Sequence, residues 1–387
     1  MSHFGDHQSA IYVNGMFLGQ TPEITTDLAS LETSAAAILE PAALGYIVPS
    51  AGGGSTARAN VAAFERWRIV PRMLRDHSVR DLSTEVLGTS MAAPVLLGPV
   101  GVQTLAHPEG ELASARAATA LGLTYVHSTQ AGHSIEDAAA ASGDGNRWYQ
   151  LYWPTDPELC ASFLSRAQAA GYTHLVITLD TTLLGWRPQD LDRGFLPFLA
   201  AEGIANYTSD PVFQAKLTKS AAEDPGAAGI TFASVFPNPG LSWDQLSWVR
   251  ERWAGPILLK GIQHVDDARL ALEHGMDGIV VSNHGGRQVD GAVASLDVLP
   301  GIAEAVGDRL TVLFDSGIRS GPDVLKALAL GADAVLLGRP YLYGLALGGQ
   351  AGVEHVLRCL LAELDLTLAN AGLSSHRELT PDLLVRG

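Results

Sequence analysis

The sequence has few cysteines, few basic residues and no long apolar run, and each shortage narrows what the protein can be. Only two of its 387 residues are cysteines, Cys160 and Cys359, and neither belongs to a CxxC motif. This number and spacing indicate neither a disulfide framework nor a zinc site, and they fit a reducing compartment. We therefore expect no metal site and a cytoplasmic location.

Basic residues are outnumbered by acidic ones, with 25 Lys and Arg against 41 Asp and Glu and a formal charge of −16. So acidic a chain repels phosphate backbones and anionic lipid, which argues against nucleic acid and membrane surfaces as partners. An anionic ligand must then be held by a few local cations. No apolar stretch reaches membrane-spanning length, and the N-terminus lacks the pattern of a signal peptide, so we expect neither insertion nor export.

What the sequence does have is 47% hydrophobic residues, enough to bury a large core. Residues 1–90 are interpreted as an N-terminal extension: an irregular arm, a helical segment over residues 25–47, a glycine-rich turn over 49–56 and a second helix near 58–67. No linker separates the extension from the rest of the chain. We therefore predict a single domain over residues 1–387, with the repeating pattern described next occupying residues 91–387.

From residue 94 onward, short apolar runs alternate with helical patterns rich in alanine and leucine. The eight runs are PVLLGP, TYVHST, WYQLYW, HLVITLD, PILLKG, GIVVSN, TVLFDS and AVLLG. This alternation predicts an α/β fold, a (β/α)8 TIM barrel whose strands are buried on both faces. The rival is a doubly wound open sheet, but the turn after the first run, GPVGVQTLAHPEG, does not carry GxGxxG at the required place.

One interval breaks the alternation. About sixty residues separate the fourth strand, which ends near Asp180, from the helical sequence SWDQLSWVRERW. A connection this long on the upper face of a barrel is typical of a lid or substrate loop, and a disordered insertion is the alternative. Composition favours neither.

Polar residues stand where the predicted strands end, which is where barrels of this type place their chemistry. They are Ser128, Gln150, Tyr152, Thr178, Asp180, Lys260, Ser282, His284, Arg287, Asp315, Arg319, Gly338 and Arg339. The seventh and eighth loops, DSGIRSG and LGRP, combine glycines with two arginines where barrels commonly bind phosphate. Lys260 can neutralise negative charge on a bound ring system. Together these features indicate a flavin.

Several of these motifs resemble a known family. SNHGGRQ, with LYW, TLDT, LKG, DSGIRSG and LGRP in that family's order, is similar to the FMN-dependent α-hydroxy-acid oxidases, and the resemblance runs from about residue 4 to the end. SNHGGRQ is the active-site signature of the family. FGD near the N-terminus, GWRPQDL, NYTSDPVFQ and the overall length most resemble the lactate 2-monooxygenase branch.

The resemblance implies a role for each site residue. His284 would be the base and Asp180 its carboxylate partner, with Tyr152 beside them. Arg187 and Arg287 would hold the substrate carboxylate, and Tyr46 and Tyr152 would add hydroxyl donors. The implied FMN-binding residues are Pro99, Val100, Gly101, Ser128, Gln150, Thr178, Lys260, Ser282, Asp315, Ser316, Gly317, Arg319, Gly338 and Arg339.

The activity implied by the resemblance is FMN-dependent oxidation of a small (S)-2-hydroxy acid with dioxygen. In the lactate 2-monooxygenase branch, lactate would become acetate, carbon dioxide and water. The alternative within the family is an oxidase of the lactate, glycolate or mandelate type that releases the 2-keto acid and hydrogen peroxide. Outside the family, a non-redox barrel that binds a phosphorylated ligand remains open. By analogy with the family, we expect a homo-tetramer or homo-octamer.

Three positions depart from the usual family sequence. After Tyr46 the chain reads VPSAGGG where most relatives read close to AGGSGDE, which leaves the setting of Tyr46 open. His127 and Gln130 suggest either a more polar substrate pocket or surface-facing substitutions. Gly101 stands where most members have alanine, as it does in the lactate 2-monooxygenase branch, and a missing Cβ would leave room beside the flavin.

Overall fold

The chain was analysed as a computed structural model that describes residues 3–387. Its N-terminal part contains the helices α1 (Asp6–Leu18), α2 (Leu31–Ala36), α3 (Pro41–Ile47) and α4 (Ser55–Glu65), and the strands β1 (Trp67–Ile69), β2 (Thr84–Val86) and β3 (Thr89–Met91). The irregular arm predicted at the N-terminus is wrong, because α1 occupies most of it. This helix buries none of its residues, so no apolar stripe in the sequence signals it.

The helical segment predicted over residues 25–47 is divided into three pieces. A single 3₁₀ turn (Leu28–Ser30) leads into α2, and α3 begins afresh at Pro41. Proline has no backbone N–H to donate and is tolerated in the first turn of a helix, so it starts a new helix here. The second predicted helix, near residues 58–67, is confirmed as α4.

The barrel predicted from the repeating pattern is confirmed. Its strands are β4 (Val95–Leu97), β5 (Thr124–Ser128), β6 (Arg147–Leu151), β7 (Leu175–Thr178), β8 (Ile257–Ile262), β9 (Gly278–Val281), β10 (Thr311–Phe314) and β11 (Ala334–Leu337). They pair in parallel around a closed ring in the order β4 to β11, and β11 closes on β4. Each overlaps one of the eight apolar runs, because a strand that is buried on both faces must be apolar throughout.

Helices surround the barrel and fill the long fourth loop. They are α5 (Gly110–Ala120), α6 (Ile135–Ser142), α7 (Pro157–Ala169), α8 (Pro188–Arg193), α9 (Ala205–Thr208), α10 (Pro211–Gln214), α11 (Pro225–Val235), α12 (Leu246–Arg250), α13 (Val265–Glu273), α14 (Ser295–Val306), α15 (Gly321–Ala329) and α16 (Arg339–Asn370). The further 3₁₀ turns are Gln103–Leu105, Pro197–Ala200, Trp243–Gln245, His284–Gly286, His376–Glu378 and Pro381–Leu383, and the last strand is β12 (Leu384–Arg386). The fourth loop is therefore helical, and the alternative of a disordered insertion is wrong.

The amino-terminal end of the barrel is closed by the β2–β3 hairpin. Val86 and Met91 of the hairpin join the apolar cluster that fills the barrel interior. Trp148, at the start of β6, is fully buried there and donates its indole N–H to Thr89 Oγ1 at 3.3 Å. Chemistry is thereby confined to the opposite, carboxyl end of the strands.

The first strand of the N-terminal extension meets the C-terminal strand of the chain. β1 pairs antiparallel with β12, so the N-terminal extension is joined to the C-terminus. The division of the chain at residue 90 stays a prediction. A search of the helices in residues 3–387 finds none that is both long and apolar enough to cross a membrane.

Candidate active site

His284 lies at the carboxyl end of β9, in a backbone conformation unusual for its residue type. Its φ is +59°, in the left-handed region that non-glycine residues seldom adopt. Its backbone N–H donates to Ser282 Oγ at 3.0 Å, and its ring Nδ1 lies 2.8 Å from Asp180 Oδ1. Because Nδ1 carries the proton of this bond, Nε2 is the basic nitrogen, and it lies 3.4 Å from the Tyr152 hydroxyl in the cavity.

Burial and neighbouring charges shift the pKa values of His284 and Asp180 in the directions that suit a general base and its carboxylate partner. Burial lowers the pKa of His284, opposed by the charge of Asp180, so the imidazole is neutral near pH 7. Burial alone would raise the pKa of Asp180, but His284 and Lys260 outweigh it and hold that pKa below its usual value. Asp180 therefore stays ionised and can stabilise an imidazolium formed on His284.

Thr181 is a third member of this group that the sequence analysis did not single out. Its hydroxyl donates to Asp180 Oδ1 at 3.0 Å and lies 3.2 Å from His284 Nδ1. The backbone of β8 is irregular at Gly261, which has φ +109° within a β-bulge. The glycine lets Asp180 approach β8 closely, because a Cβ at position 261 would lie 2.9 Å from Asp180 Cβ. The threonine directly follows Asp180 in TLDT, which is the one signal that could have found it.

Lys260 lies near the carboxyl end of β8 and lines the same cavity. Its Nζ donates to Ser282 Oγ at 2.9 Å and forms an ion pair with Asp315 Oδ2 at 3.0 Å. Burial would lower the pKa of Lys260, but Asp315 and Asp180 outweigh it and raise that pKa. A permanently charged ammonium is thus held in the floor of the site.

Arg187 and Arg287 lie next to each other and lack a close carboxylate. Arg287 donates to the backbone carbonyls of Ile47 and Pro49, at 3.3 and 2.7 Å, and burial together with the charge of Arg187 lowers its pKa to about 9. Arg187 donates to Gln288 Oε1 at 2.9 Å, while its nearest acid, Asp190, is 3.9 Å away. A buried guanidinium group beside a half-buried one, with so little countercharge, calls for an anionic ligand.

The VPSAGGG departure does not displace Tyr46. Its ring lines the cavity, with the Arg287 guanidinium 5.3 Å from its centroid and Phe198 of the fourth loop packed edge-on against it. The carbonyl of Pro49, within the departing segment, accepts from Arg287. Asp290 of the sixth loop holds the glycine turn by accepting from the Gly53 N–H and the Ser55 hydroxyl, both at 2.7 Å.

The opposite end of the cavity is formed by the seventh and eighth loops. Arg319 and Arg339 line it beside Gly317 and Gly338. Arg339 donates to the Gly285 carbonyl at 3.0 Å, but its Nε is buried without a partner. The cavity is lined by five cationic side chains (Arg187, Lys260, Arg287, Arg319 and Arg339) and by a single carboxylate, that of Asp315. The cavity is therefore positively charged although the chain as a whole is acidic, and a positive cavity is what the binding of an anion requires.

Most of the predicted site residues meet around one cleft. Those lining it are Tyr46, Pro99, Val100, Gly101, Tyr152, Arg187, Lys260, His284, Arg287, Asp315, Ser316, Gly317, Arg319, Gly338 and Arg339. Ser128, Gln150, Thr178, Asp180 and Ser282 do not line it and lie in the strand ends and loops around it, as the bonds to His284 and Lys260 show for the last two. The cleft also includes residues without a predicted role, among them Thr181, Leu184, Gln130 and Leu342.

The strand ends fit a flavin because they hold polar atoms that lack partners. Gln150 Nε2 and Thr178 Oγ1 are buried and make no hydrogen bond within the protein. Ser128 donates to Gln150 Oε1 at 3.0 Å, which fixes the amide and leaves its NH2 group unpaired. Buried polar groups are rarely left unpaired, so this floor is suited to a polar ring system.

At Gly101 and His127, two positions where the chain departs from the usual family sequence, the structure gives a different explanation from the one that the sequence suggested. The space beside Gly101 is not empty, since a Cβ there would lie 2.7 Å from the backbone oxygen of Gln130. The glycine is required by the close approach of two loops. His127 is neither in the cavity nor at the surface: it is fully buried behind the barrel beside Tyr172 and Asn206, and burial lowers its pKa to about 4.

Gln130 does line the cavity, so the expectation of a more polar pocket holds at that position. Its Nε2 is buried and has no partner. Asn60 of α4 is a supporting residue that the sequence did not reveal. It exchanges two hydrogen bonds of 2.7 Å with Asn283 and so holds the loop that carries His284 from the outside of the barrel.

A closed barrel with a buried histidine–aspartate pair, two adjacent arginines and a cationic end at the seventh and eighth loops is the arrangement expected of a class of proteins, the flavin-dependent oxidoreductases that act on small anionic substrates. Comparison with known proteins agrees. Residues 35–386 match the family described as FMN-dependent dehydrogenase. The chain belongs to this family, whose cofactor is FMN, and it is an FMN-dependent α-hydroxy-acid oxidoreductase.

Individual relatives span nearly the whole chain. An FMN-dependent α-hydroxy acid dehydrogenase of Penicillium citrinum is 48% identical over 99% of this chain and 96% of its own. An L-lactate oxidase of Lysinibacillus sphaericus (strain C3-41) is 44% identical over 92% of each chain. Among solved structures, a mandelate oxidase is 39% identical with a TM-score of 0.83, covering 94% of this chain and 99% of its own.

Proposed function

We propose that this protein oxidises a small (S)-2-hydroxy acid, with lactate as the leading candidate and dioxygen as the electron acceptor. The observation that carries the proposal is the position of His284 Nε2, the basic nitrogen of a neutral imidazole, in the same cavity as the Arg187 and Arg287 guanidinium groups. An acceptor for a proton and a holder for a carboxylate are the two protein groups that this reaction needs.

Each group then has a task in the reaction. Arg287 and Arg187 bind the carboxylate and orient the substrate, and the Tyr152 hydroxyl beside His284 Nε2 donates to the substrate oxygen. His284 takes the proton that leaves the substrate, and Asp180 stabilises the imidazolium so formed. FMN, when bound, supplies the hydride acceptor and the site of reaction with dioxygen. Lys260 and the floor residues Ser128, Gln150 and Thr178 would hold its ring, and Arg319 and Arg339 its phosphate.

We further propose that the 2-keto acid is retained, as in lactate 2-monooxygenase. Oxidation of lactate by dioxygen yields pyruvate and hydrogen peroxide. If both stay in the cavity, peroxide converts pyruvate to acetate, carbon dioxide and water. Support comes from the fourth loop, where Phe198, Tyr207, Phe232 and Phe236 pack on one another, with Phe198 against Tyr46 and Phe236 against Tyr152. A lid anchored to two cavity residues opens slowly and favours retention.

The alternative is an oxidase that releases the 2-keto acid and peroxide. The relatives known as L-lactate oxidase and 2-hydroxyacid oxidase favour it. Structural neighbours are mandelate oxidases, so a larger aryl substrate is a second possibility for this alternative.

One product assay separates these proposals. Purified, FMN-loaded protein is incubated under air with lactate, glycolate or mandelate, and keto acid, shortened acid, carbon dioxide and peroxide are quantified. Acetate and carbon dioxide in equal amounts from lactate support the monooxygenase. Stoichiometric pyruvate and peroxide overturn it and establish the oxidase. A colourless protein that cannot be reconstituted with FMN would leave only a non-redox barrel.

We also propose that the protein self-associates through α1. Tyr12, Met16 and Phe17 of α1 are each more than half exposed. Large apolar side chains clustered on one exposed helix are typical of a contact surface. A homo-tetramer or homo-octamer would appear in light scattering at four or eight times the mass of the 40.7 kDa chain.

A further inference from the structure

Two histidines and a cysteine meet where the N-terminal helix α1 lies against α16, away from the catalytic cavity. Cys359 Sγ is 3.5 Å from His355 Nε2 and 4.0 Å from His7 Nε2. The three potential ligand atoms all lie within 4.8 Å of one another. In residues 3–387 this is the one such grouping of three histidine, cysteine or acidic side chains.

The spacing of these atoms is close to that of metal ligands. In a tetrahedral site with Zn–N of about 2.0 Å and Zn–S of about 2.3 Å, nitrogen and sulfur ligands are about 3.5 Å apart. The Cys359–His355 distance already has this value, and the Cys359–His7 distance exceeds it by about half an ångström. Metal binding would require the half-buried His7 side chain to rotate so as to close this difference.

The local structure supplies both rigidity and a further donor. His355 and Cys359 are four residues apart on α16 and therefore lie on the same face of that helix. The backbone carbonyl of Thr25 is 3.2 Å from His355 Nε2, which is also a ligand-to-ligand distance. It can accept a hydrogen bond from the histidine in the absence of metal and stand as a fourth ligand, or give way to water, when metal is bound.

We propose that His7, His355 and Cys359 form a binding site for a divalent transition metal of intermediate softness, with Zn²⁺ as the preferred ion. Imidazole and thiolate are the ligands that this class of ion selects over Mg²⁺ or Ca²⁺. Binding is balanced by loss of the thiol proton: Zn²⁺ and Cys359–SH give the zinc thiolate and one H⁺.

A metal bound at this site would attach the N-terminal helix α1 to α16. Helix α1 buries none of its residues. Its start is held by polar contacts, since the Gly5 N–H donates to Asp365 Oδ2 at 2.7 Å and Asp365 also pairs with Arg80. A metal bound by His7 would cross-link the first turn of α1 to α16. The apolar side chains exposed on α1 would then be presented on a fixed helix instead of one that frays.

The experiment is a calorimetric titration of FMN-loaded, metal-free protein with Zn²⁺. We expect one ion per chain and, from titrations in buffers of different ionisation enthalpy, about one proton released. His7→Gln and Cys359→Ser should each raise Kd by more than about 100-fold, since losing an outer-shell partner alone costs about 10- to 100-fold. Zn²⁺ should slow hydrogen exchange in residues 6–18 of the parent protein and leave it unchanged in both variants.

Two control variants distinguish loss of the proposed ligands from a general effect of removing a cysteine or a histidine. Cys160→Ser removes the other buried thiol, and His77→Gln removes a histidine outside the cluster, so neither should change Kd. Because His7 is only half-buried, we expect its replacement to leave the fold intact, and circular dichroism of each variant checks this. Absence of Zn²⁺ binding, or binding that both cluster variants retain, would overturn the proposal. Hydroxy-acid oxidation is not a readout, so this outcome is independent of the proposed activity.

Discussion

His284 is held at a backbone φ of +59° by its bond to Ser282, and its ring by Asp180 and Thr181. Replacing His284 with Gln keeps similar volume but removes the proton acceptor. We expect substrate oxidation to slow by about 100-fold or more while FMN stays bound. Stopped-flow absorbance with lactate measures the first effect, and the flavin content of the purified variant measures the second. Near-normal rates would remove His284 from the mechanism.

The same residue sets the acid side of the pH profile. The reaction needs neutral His284, so kcat/KM rises with pH through the pKa of this group and levels off above it. Burial lowers that pKa, so we expect the midpoint below the ordinary value of 6.5. Asp180 opposes this lowering, and Asp180→Asn should therefore move the midpoint to still lower pH while reducing the maximal rate. A midpoint that moves up in this variant would contradict the assignment.

We expect the pair Arg187 and Arg287 to recognise both the charge and the planar shape of a substrate carboxylate. Arg287→Lys keeps the positive charge but loses the planar fork, so a carboxylate held through two N–H groups loses one of them. A hydrogen bond to a charged group contributes about 1.5 to 3 kcal/mol, so we expect kcat/KM for lactate to fall about 10- to 100-fold. The methyl ester of lactate is the control substrate. Equal activity on lactate and its neutral ester would argue against carboxylate recognition.

At the scale of elements, we expect the fourth loop to decide which product leaves. Phe232 of α11 lies at the centre of its aromatic cluster, with ring centroids 4.9 to 5.2 Å from those of Tyr207, Phe198 and Phe236. Phe232→Leu keeps an apolar side chain but removes these ring contacts. A looser lid should release keto acid sooner, so the ratio of pyruvate to acetate formed from lactate under air should rise.

A matched substitution distinguishes the lid from general loss of stability. Phe64 of α4 is equally buried and packs edge-on against Phe314 of the barrel, outside the fourth loop. Phe64→Leu should lower the melting temperature about as much as Phe232→Leu and leave the product ratio unchanged. The same change of ratio in both variants would show that the lid is not responsible. Gly101→Ala is unsuitable for this purpose, because its Cβ would meet the Gln130 carbonyl.

At the scale of the whole molecule, we expect bound FMN to join loops from around the barrel and so to stabilise the fold. A ligand present at about 100 times its Kd adds about 2.7 kcal/mol to the free energy of unfolding. Apoprotein should therefore melt at a lower temperature than FMN-loaded protein, and riboflavin, which lacks the phosphate, should restore only part of the difference. Arg339→Gln should bring the FMN and riboflavin melting curves together. Equal stabilisation by both flavins in the parent protein would remove Arg319 and Arg339 from phosphate binding.

The sequence alone determined the barrel and the carboxyl-end residues. Strands buried on both faces must be apolar throughout, and parallel strands in a ring bring their carboxyl ends to one mouth. Asp180, Lys260 and His284 stand directly at such ends, so their convergence followed from the pattern. The resemblance to a family then supplied their roles, and the match of residues 35–386 to FMN-dependent dehydrogenases confirms that family.

Only the tertiary structure decided the features that depend on contacts between residues distant in the chain. Asn60 and Asn283 are hydrogen-bonded although 223 positions separate them in the sequence, and Cys359 lies near His7 at a separation of 352 positions. No local sequence pattern predicts either contact. The same reason explains Gly101, which is required by a neighbouring loop, and His127, which packs behind the barrel. Periodicity reports which face of an element is buried, whereas the partner on that face is chosen by how the elements pack.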